Sequence, residues 1–317
     1  MNKGRPSIVS IRSAEVARDG NSPLKDYFRL GRHIRPDIKE GSLGTGFIIH
    51  ASGLILTNYH VIAPPPRYRV AEGMIVQLSD QREFAARVIG KDKKTNVALL
   101  KILGEGPFLP LDLGNSETLD VGEWVMAVGN PFGLEETMTV GVVSGTGRVL
   151  GAGPYDHFIQ TDAVIHAGNT GGPLFNLRGE VIGMNTTVGP SDIGIGFAIP
   201  ISMVKKILPM LEKDGKVTRG WLGVMIQTLT RDLSEAFHLE KNQGALVTEV
   251  MKESPAEKAG ILRGDVIVEF DEKVIHRMHD LPAYVADIPV GKTVPIALVR
   301  DGEALALNVT IRLLKED

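Results

Sequence analysis

HAGNTGGPLFN, residues 166–176, decides how the rest of the chain is read. Three glycines, Gly168, Gly171 and Gly172, surround Thr170, and Pro173 then opens a short apolar run. Glycine at this density marks a tight turn, because glycine alone visits positive φ without a steric penalty. Taken alone, the stretch is either a plain turn before a strand or a loop built to present the hydroxyl of Thr170.

The flanking sequence is organised in short β-type runs. From Ser7 to about Pro200 they include SIVSIRS, TGFIIHASGLILTNYHVI, MIVQLSD, EFAARVIGKD, NVALLKIL, EWVMAVGN, MTVGVVSGTGRVL and VIGMNTTV. They are rich in Val and Ile and broken by Gly, Pro, Asn and Asp, as in an antiparallel barrel or sandwich. The pattern changes at PISMVKKILPMLEKDGKV, where Met203, Val204, Ile207, Leu208 and Leu211 recur at helical spacing and Asp214-Gly215 offers a stop. From Arg219 onward, about 100 residues read as mixed strands with two helices, at RDLSEAFHL and HDLPAYVADI.

Bulk properties narrow the function. The chain has 317 residues, 43% of them hydrophobic and 23% charged, which suits about two globular domains. A net charge of −3 gives no reason to expect nucleic acid as a partner. With no cysteine, disulfides, thiol nucleophiles and Cys-ligated zinc are excluded. No run reaches the roughly 18 apolar residues of a membrane helix. MNKGRPSIVSIRS lacks the apolar core of a signal peptide, so the expectation is either a cytoplasmic protein or an export segment outside this stretch.

Eight stretches belong together: GSLGTGFII, ILTNYHVI, VMAVGNPFGL, VGVVSG, IQTDAVIHAGN, GGPLFN, GEVIGMNT and GIGFAIP. In combination they make the chain resemble the HtrA (high-temperature requirement) serine proteases from about Ser7 to its end. The resemblance implies a mostly β fold: a chymotrypsin-like double β-barrel over residues 1–201, a closing helix and linker over 202–218, and a C-terminal PDZ domain over 219–317. It places the general-base histidine at His60, the residue orienting it at Asn96 and the nucleophile at Thr170. The family has aspartate and serine at the last two positions. Backbone N–H groups of Gly168 and Thr170 would form the oxyanion hole. Ile193 and Ile195, in GPSDIGIGFAIP, would line an apolar specificity pocket, or else simply pack in the core. In the second domain, Gly220, Trp221, Leu222, Gly223, Val224 and Ile226 correspond to the PDZ loop and strand that take a peptide C-terminus, though Leu222, Val224 and Ile226 would look the same as core strand residues.

The two departures bear on chemistry. A triad carboxylate fixes the histidine tautomer and stabilises the imidazolium, whereas an uncharged amide can donate to the ring and leave its outer nitrogen protonated. Threonine keeps a hydroxyl but adds a methyl with restricted χ1. The expectation is an HtrA-type endopeptidase homologue for unfolded proteins with strongly impaired or absent catalysis. The alternative is a pseudoprotease that binds unfolded chains or peptide C-termini as a scaffold, chaperone or regulator. Asp92 and Asp162 are read as solvent-facing and structural, respectively, rather than as substitute carboxylates. No cofactor or metal is expected; His276 with His279, or His166 with His157 and His60, are weak metal candidates. Where the family has Asn-Gly, this chain has Asp271-Glu272-Lys273. Family resemblance further implies a homotrimer, with Tyr27 and Phe28 as interface candidates or else an intramolecular staple, and a periplasmic or cell-envelope location.

Overall fold

Period-two alternation sorts the apolar side chains of the first 200 residues into separate cores. A computed structural model describes residues 5–14, 40–63, 74–130, 137–166, 168–186, 194–236 and 243–315. Six antiparallel strands close the first barrel in the order β1-β2-β3-β6-β5-β4. They are β1 (Ile8–Ala14), β2 (Glu40–His50), β3 (Leu54–Asn58), β4 (Met74–Leu78), β5 (Glu83–Asp92) and β6 (Val97–Leu103). Six more close the second barrel in the order β10-β11-β12-β9-β8-β7. These are β7 (Trp124–Gly129), β8 (Thr137–Arg148), β9 (Phe158–Thr161), β10 (Pro173–Asn176), β11 (Val181–Thr186) and β12 (Gly196–Pro200).

Strand β6 shows how alternation works here. Ala98, Leu100 and Ile102 fill the first barrel, while Val97 and Leu99 join a core that also holds Val128, Phe175, Val181, Met184 and Ile199 from the second. In the second barrel, Val125, Ala127, Ile182 and Ala198 point inward. Both faces of these strands are therefore buried, and their sequences read as nearly continuous apolar runs. Barrel closure also leaves no unpaired sheet edge.

Two helices complete this unit. The stretch TNYHVI, read as strand, instead turns at Asn58 into a short helix α1 (Tyr59–Ile62), whose Val61 and Ile62 are buried in the first barrel's core. The helix α2 (Ile201–Asp214) ends at Gly215, which is left-handed at φ 71°. Its buried stripe is Ile201, Val204, Ile207 and Leu211, all within the core shared by the two barrels. Met203 and Leu208 lie partly buried beside that stripe.

The chain divides into two compact units, Met1–Val217 and Thr218–Asp317. In the second, β13 (Gly220–Trp221) pairs with β20 (Arg312–Leu313), and a larger sheet runs β14-β15-β16-β18-β19 with β17 beside β16. Its strands are β14 (Val224–Gln227), β15 (Ala245–Val250), β16 (Val266–Phe270), β17 (Lys273–Val274), β18 (Thr293–Arg300) and β19 (Glu303–Thr310). The described part of RDLSEAFHL is the helix α3 (Arg231–Ala236). SPAEKAG makes the helix α4 (Pro255–Ala259): Ser254 caps it by accepting the Glu257 N–H, Pro255 opens it, and Gly260 ends it at φ 82°. HDLPAYVADI gives α5 (Asp280–Asp287), which buries Leu281 and Val285 against the sheet's core.

Asp271 and Glu272 form the two-residue turn between β16 and β17, with φ of 48° and 63°. A hairpin turn needing positive φ twice is where Asn-Gly is favoured. The family's usual pair and this chain's Asp-Glu therefore answer the same backbone demand, the second with more strain. Tyr27, Phe28 and Ile193 lie outside the described residues. Among the described residues, no helix is long and apolar enough to cross a membrane.

Candidate functional site

The loop of Thr170 is held by backbone contacts that leave little room for side chains. Gly171 has φ 83°, and a Cβ there would stand 2.2 Å from the Thr45 carbonyl oxygen. Only glycine fits that position. The Thr45 N–H donates to the Thr170 carbonyl (2.9 Å), and the Thr45 hydroxyl donates to the Gly168 carbonyl (2.8 Å). Gly171 N–H donates to the Asn185 carbonyl, and Asn185 N–H returns to Gly172. Strand β2 of the first barrel and β11 of the second thus clamp the loop from two sides.

His60 and Asn96 are set by the first barrel. Asn96 ends the turn between β5 and β6 with φ 57°, a conformation that Asn and Asp tolerate best among residues with side chains. Its carbonyl accepts the Tyr59 N–H (3.0 Å) and the Asn58 amide (3.2 Å), which ties it to the start of α1. Its side-chain Oδ1 accepts the His60 backbone N–H at 3.1 Å. Its Nδ2 donates to the Thr186 hydroxyl at 3.1 Å. Thr186, at the end of β11, escaped the sequence reading because nothing in its spacing marks it.

Those two contacts fix which way the Asn96 amide faces. His60 Nδ1 then stands 3.1 Å from Oδ1 and 3.0 Å from Nδ2. One tautomer gives Nδ1–H to Oδ1 and leaves Nε2 able to accept a proton; the other takes a hydrogen from Nδ2 and leaves Nε2 protonated. An amide acting only as a donor would give the second arrangement alone; here the geometry offers a partner to both. His60 is exposed as a residue, but burial of its ring lowers its pKa below the usual 6.5, while the Asn96 hydrogen bond acts in the opposite direction. The imidazole is therefore kept neutral near neutral pH, with no carboxylate to stabilise its charged form.

Thr170 is only 2% exposed, and its hydroxyl donates to the His166 carbonyl at 3.2 Å. Gly168, the other expected oxyanion donor, gives its N–H to His166 Nδ1 at 3.0 Å. Asn169 is fully buried and braces the same turn: its Oδ1 accepts the His166 N–H, and its Nδ2 donates to the Val164 carbonyl. Of the two alternative carboxylates, Asp92 departs from its expected solvent-facing setting, while Asp162 keeps a structural role. Asp92 is buried and accepts the Thr95 N–H (3.2 Å), because it caps the turn leading to Asn96. Asp162 is exposed and accepts the Val142 N–H. Ile195 is 37% exposed, which removes the core-packing alternative for it. Among the described residues, no group of three His, Cys, Asp or Glu could hold a metal ion.

In the second unit, β14 occupies an edge of its sheet. Leu222 is buried in the core, while Val224 and Ile226 are half-buried. Gly223 has φ 84°, and a Cβ there would meet the Ser254 side chain at 2.3 Å. The carbonyls of Leu222 and Gly223 accept from Ala256 and Met251. The N–H groups of those two loop residues find no acceptor among the described residues.

Residues 44–184 match the trypsin-like peptidase domain, and residues 220–311 match the PDZ domain. A probable periplasmic serine endoprotease DegP-like from Ectopseudomonas mendocina (strain ymp) is 47% identical over 280 residues, covering 87% of this chain and 57% of that protein. One of the same description from Pseudomonas putida (strain W619) is 45% identical, covering 100% of this chain and 70% of its own length. This chain thus spans little more than half of the first relative. Among solved structures, the HtrA-type protease AlgW with tripeptide has a TM-score of 0.84 at 33% identity, covering 100% of this chain and 96% of its own. The serine endoprotease from Yersinia pestis has a TM-score of 0.72 at 31% identity, covering 99% and 96%.

Proposed function

Because this chain belongs to the HtrA-type serine proteases, we propose that it engages unfolded polypeptides and cleaves them slowly at most. His60 is the base, Asn96 orients it, Thr170 is the nucleophile, and the N–H groups of Gly168 and Thr170 are the oxyanion donors. The observation carrying this reading is the paired state of the two reacting groups. The Thr170 hydroxyl is spent on the His166 carbonyl, and His60 faces an amide where a carboxylate would stabilise its charged form. In a chymotrypsin-like triad that exchange alone lowers the rate by about 10⁴. Ile195, with Ile193, lines the apolar specificity pocket.

A second reading, a pseudoprotease acting as peptide-binding scaffold, chaperone or regulator, is favoured by the second unit. Its edge strand and the N–H groups of Leu222 and Gly223, without an acceptor among the described residues, suit capture of a peptide C-terminus by strand addition, with Gly220, Trp221, Val224 and Ile226 alongside. The relatives' periplasmic description supports the same compartment for this chain. A homotrimer through the segment of Tyr27 and Phe28 completes the proposal. The test is casein cleavage by the parent, Asn96→Asp, Thr170→Ser and the double variant. A parent as fast as the double variant defeats the impaired-site reading. A double variant that binds peptides but cannot cut them favours the scaffold.

A further inference from the structure

His166 contacts both of the groups on which acyl chemistry at this site depends. Its ring nitrogen Nδ1 takes the Gly168 N–H (3.0 Å), and its carbonyl takes the Thr170 hydroxyl (3.2 Å). Its own backbone is anchored on both sides. The His166 N–H donates to Asn169 Oδ1 at 3.0 Å, and the Asn169 N–H donates back to the His166 carbonyl at 3.1 Å. Asn169 is completely buried, so this frame is braced from within, while His166 itself is half-buried.

We propose that His166 is a positioning residue that latches the site closed: its ring withholds the Gly168 N–H from a substrate oxyanion, and its carbonyl parks the Thr170 hydroxyl away from His60. The inference rests on reading Gly168 as an oxyanion donor and Thr170 as the nucleophile. An oxyanion hole works only when its donors are free and already aimed at the developing charge. A donor satisfied by its own loop must first be released. Exchanging one net hydrogen bond in this way weakens oxyanion binding by about fivefold to tenfold. Releasing the ring restores the donor without moving the Asn169 frame, so the effect falls on the reacting carbonyl and not on the peptide arms of the substrate.

The experiment compares His166→Ala and His166→Asn with the parent ring, all in the Asn96→Asp, Thr170→Ser background. Asn at position 166 keeps an acceptor two residues before Gly168; Ala does not. Three measurements are made: hydrogen exchange of the fragment containing the Gly168 amide, binding of a peptide amide, and binding of the same peptide as a boronic acid. In the boronic acid complex the hydroxyl oxygen at position 170 gives an electron pair to boron. Its proton passes to His60, and the boron becomes tetrahedral and anionic, mimicking the oxyanion. With His166→Ala, the Gly168 amide should lose protection, and the boronic acid should bind about fivefold to tenfold tighter at unchanged amide affinity. His166→Asn should restore the parent's values. The proposal is overturned if Gly168 protection is the same in His166→Ala. It is overturned equally if boronic acid and amide affinities change together or not at all. A background protein that binds no peptide amide sinks the peptide-cleft reading instead, and the Gly168 exchange rate alone then decides the latch.

Discussion

Replacing Asn96 with Asp should return a charged partner to His60 with little backbone disturbance. At φ 57°, Asp is nearly as well tolerated as Asn. The His60 N–H, which now donates to Oδ1, would donate equally well to a carboxylate. The Thr186 hydroxyl, which now accepts from Nδ2, needs only to rotate and donate. The new charge would sit where Oδ1 and Nδ2 now stand, 3.1 and 3.0 Å from Nδ1. Two unit charges about 4 Å apart at an effective dielectric of about 20 attract by ~4 kcal/mol. The open outer side of His60 lowers this to roughly 2–3 kcal/mol. Applied to the imidazolium formed during proton transfer, that is about 30- to 150-fold in rate. Fixing the Nδ1 proton adds to it, toward the ~10⁴ of the chymotrypsin-like triad. The assay is kcat/KM on casein from pH 5 to 9. The carboxylate raises the His60 pKa, and only neutral His60 is a base, so the acidic limb should move to higher pH. A rate within about threefold of the parent, or a limb moving to lower pH, refutes the reasoning.

Glu272→Gly should stabilise the second unit. It removes about 1–2 kcal/mol of left-handed strain at φ 63° and gives back about 0.7 in unfolded-chain entropy, a net gain of about 0.3–1.3 kcal/mol readable by urea unfolding. Gly171→Ala should destabilise the first unit by more than about 2 kcal/mol, because the new methyl meets the Thr45 carbonyl at a φ alanine avoids; thermal melting reads it. His60 has a lowered pKa when folded, so the unfolded chain binds more protons just below pH 6.5. Its share of stability is complete above that value and is lost as pH falls toward the folded pKa, and a pH series of melts should show His60→Gln without this loss.

The sequence by itself determined the architecture. Runs such as NVALLKIL and VIGMNTTV became β6 and β11 because a strand buried on both faces must be apolar at nearly every position. The helix at residues 201–214, its Gly215 stop, the capped SPAEKAG turn and the odd residues at positions 96 and 170 were all legible, since each is a local pattern. The exception was TNYHVI, whose β-branched residues suggested strand until packing in the barrel made it helix.

Tertiary structure decided what surrounds the reacting groups. The direction of the Asn96 amide depends on a hydroxyl 90 residues away, at Thr186. The burial of Asp92 reverses the solvent-facing setting that its position along the chain suggested. The hold of His166 on Gly168 and Thr170 spans only a few residues, yet Thr45 fixes the Gly168 carbonyl from a strand of the first barrel. Spacing along a chain shows which residue types can be brought together. Which hydrogen bond each one makes depends on competing donors and acceptors that only folding delivers, and at this site those partners determine the chemistry.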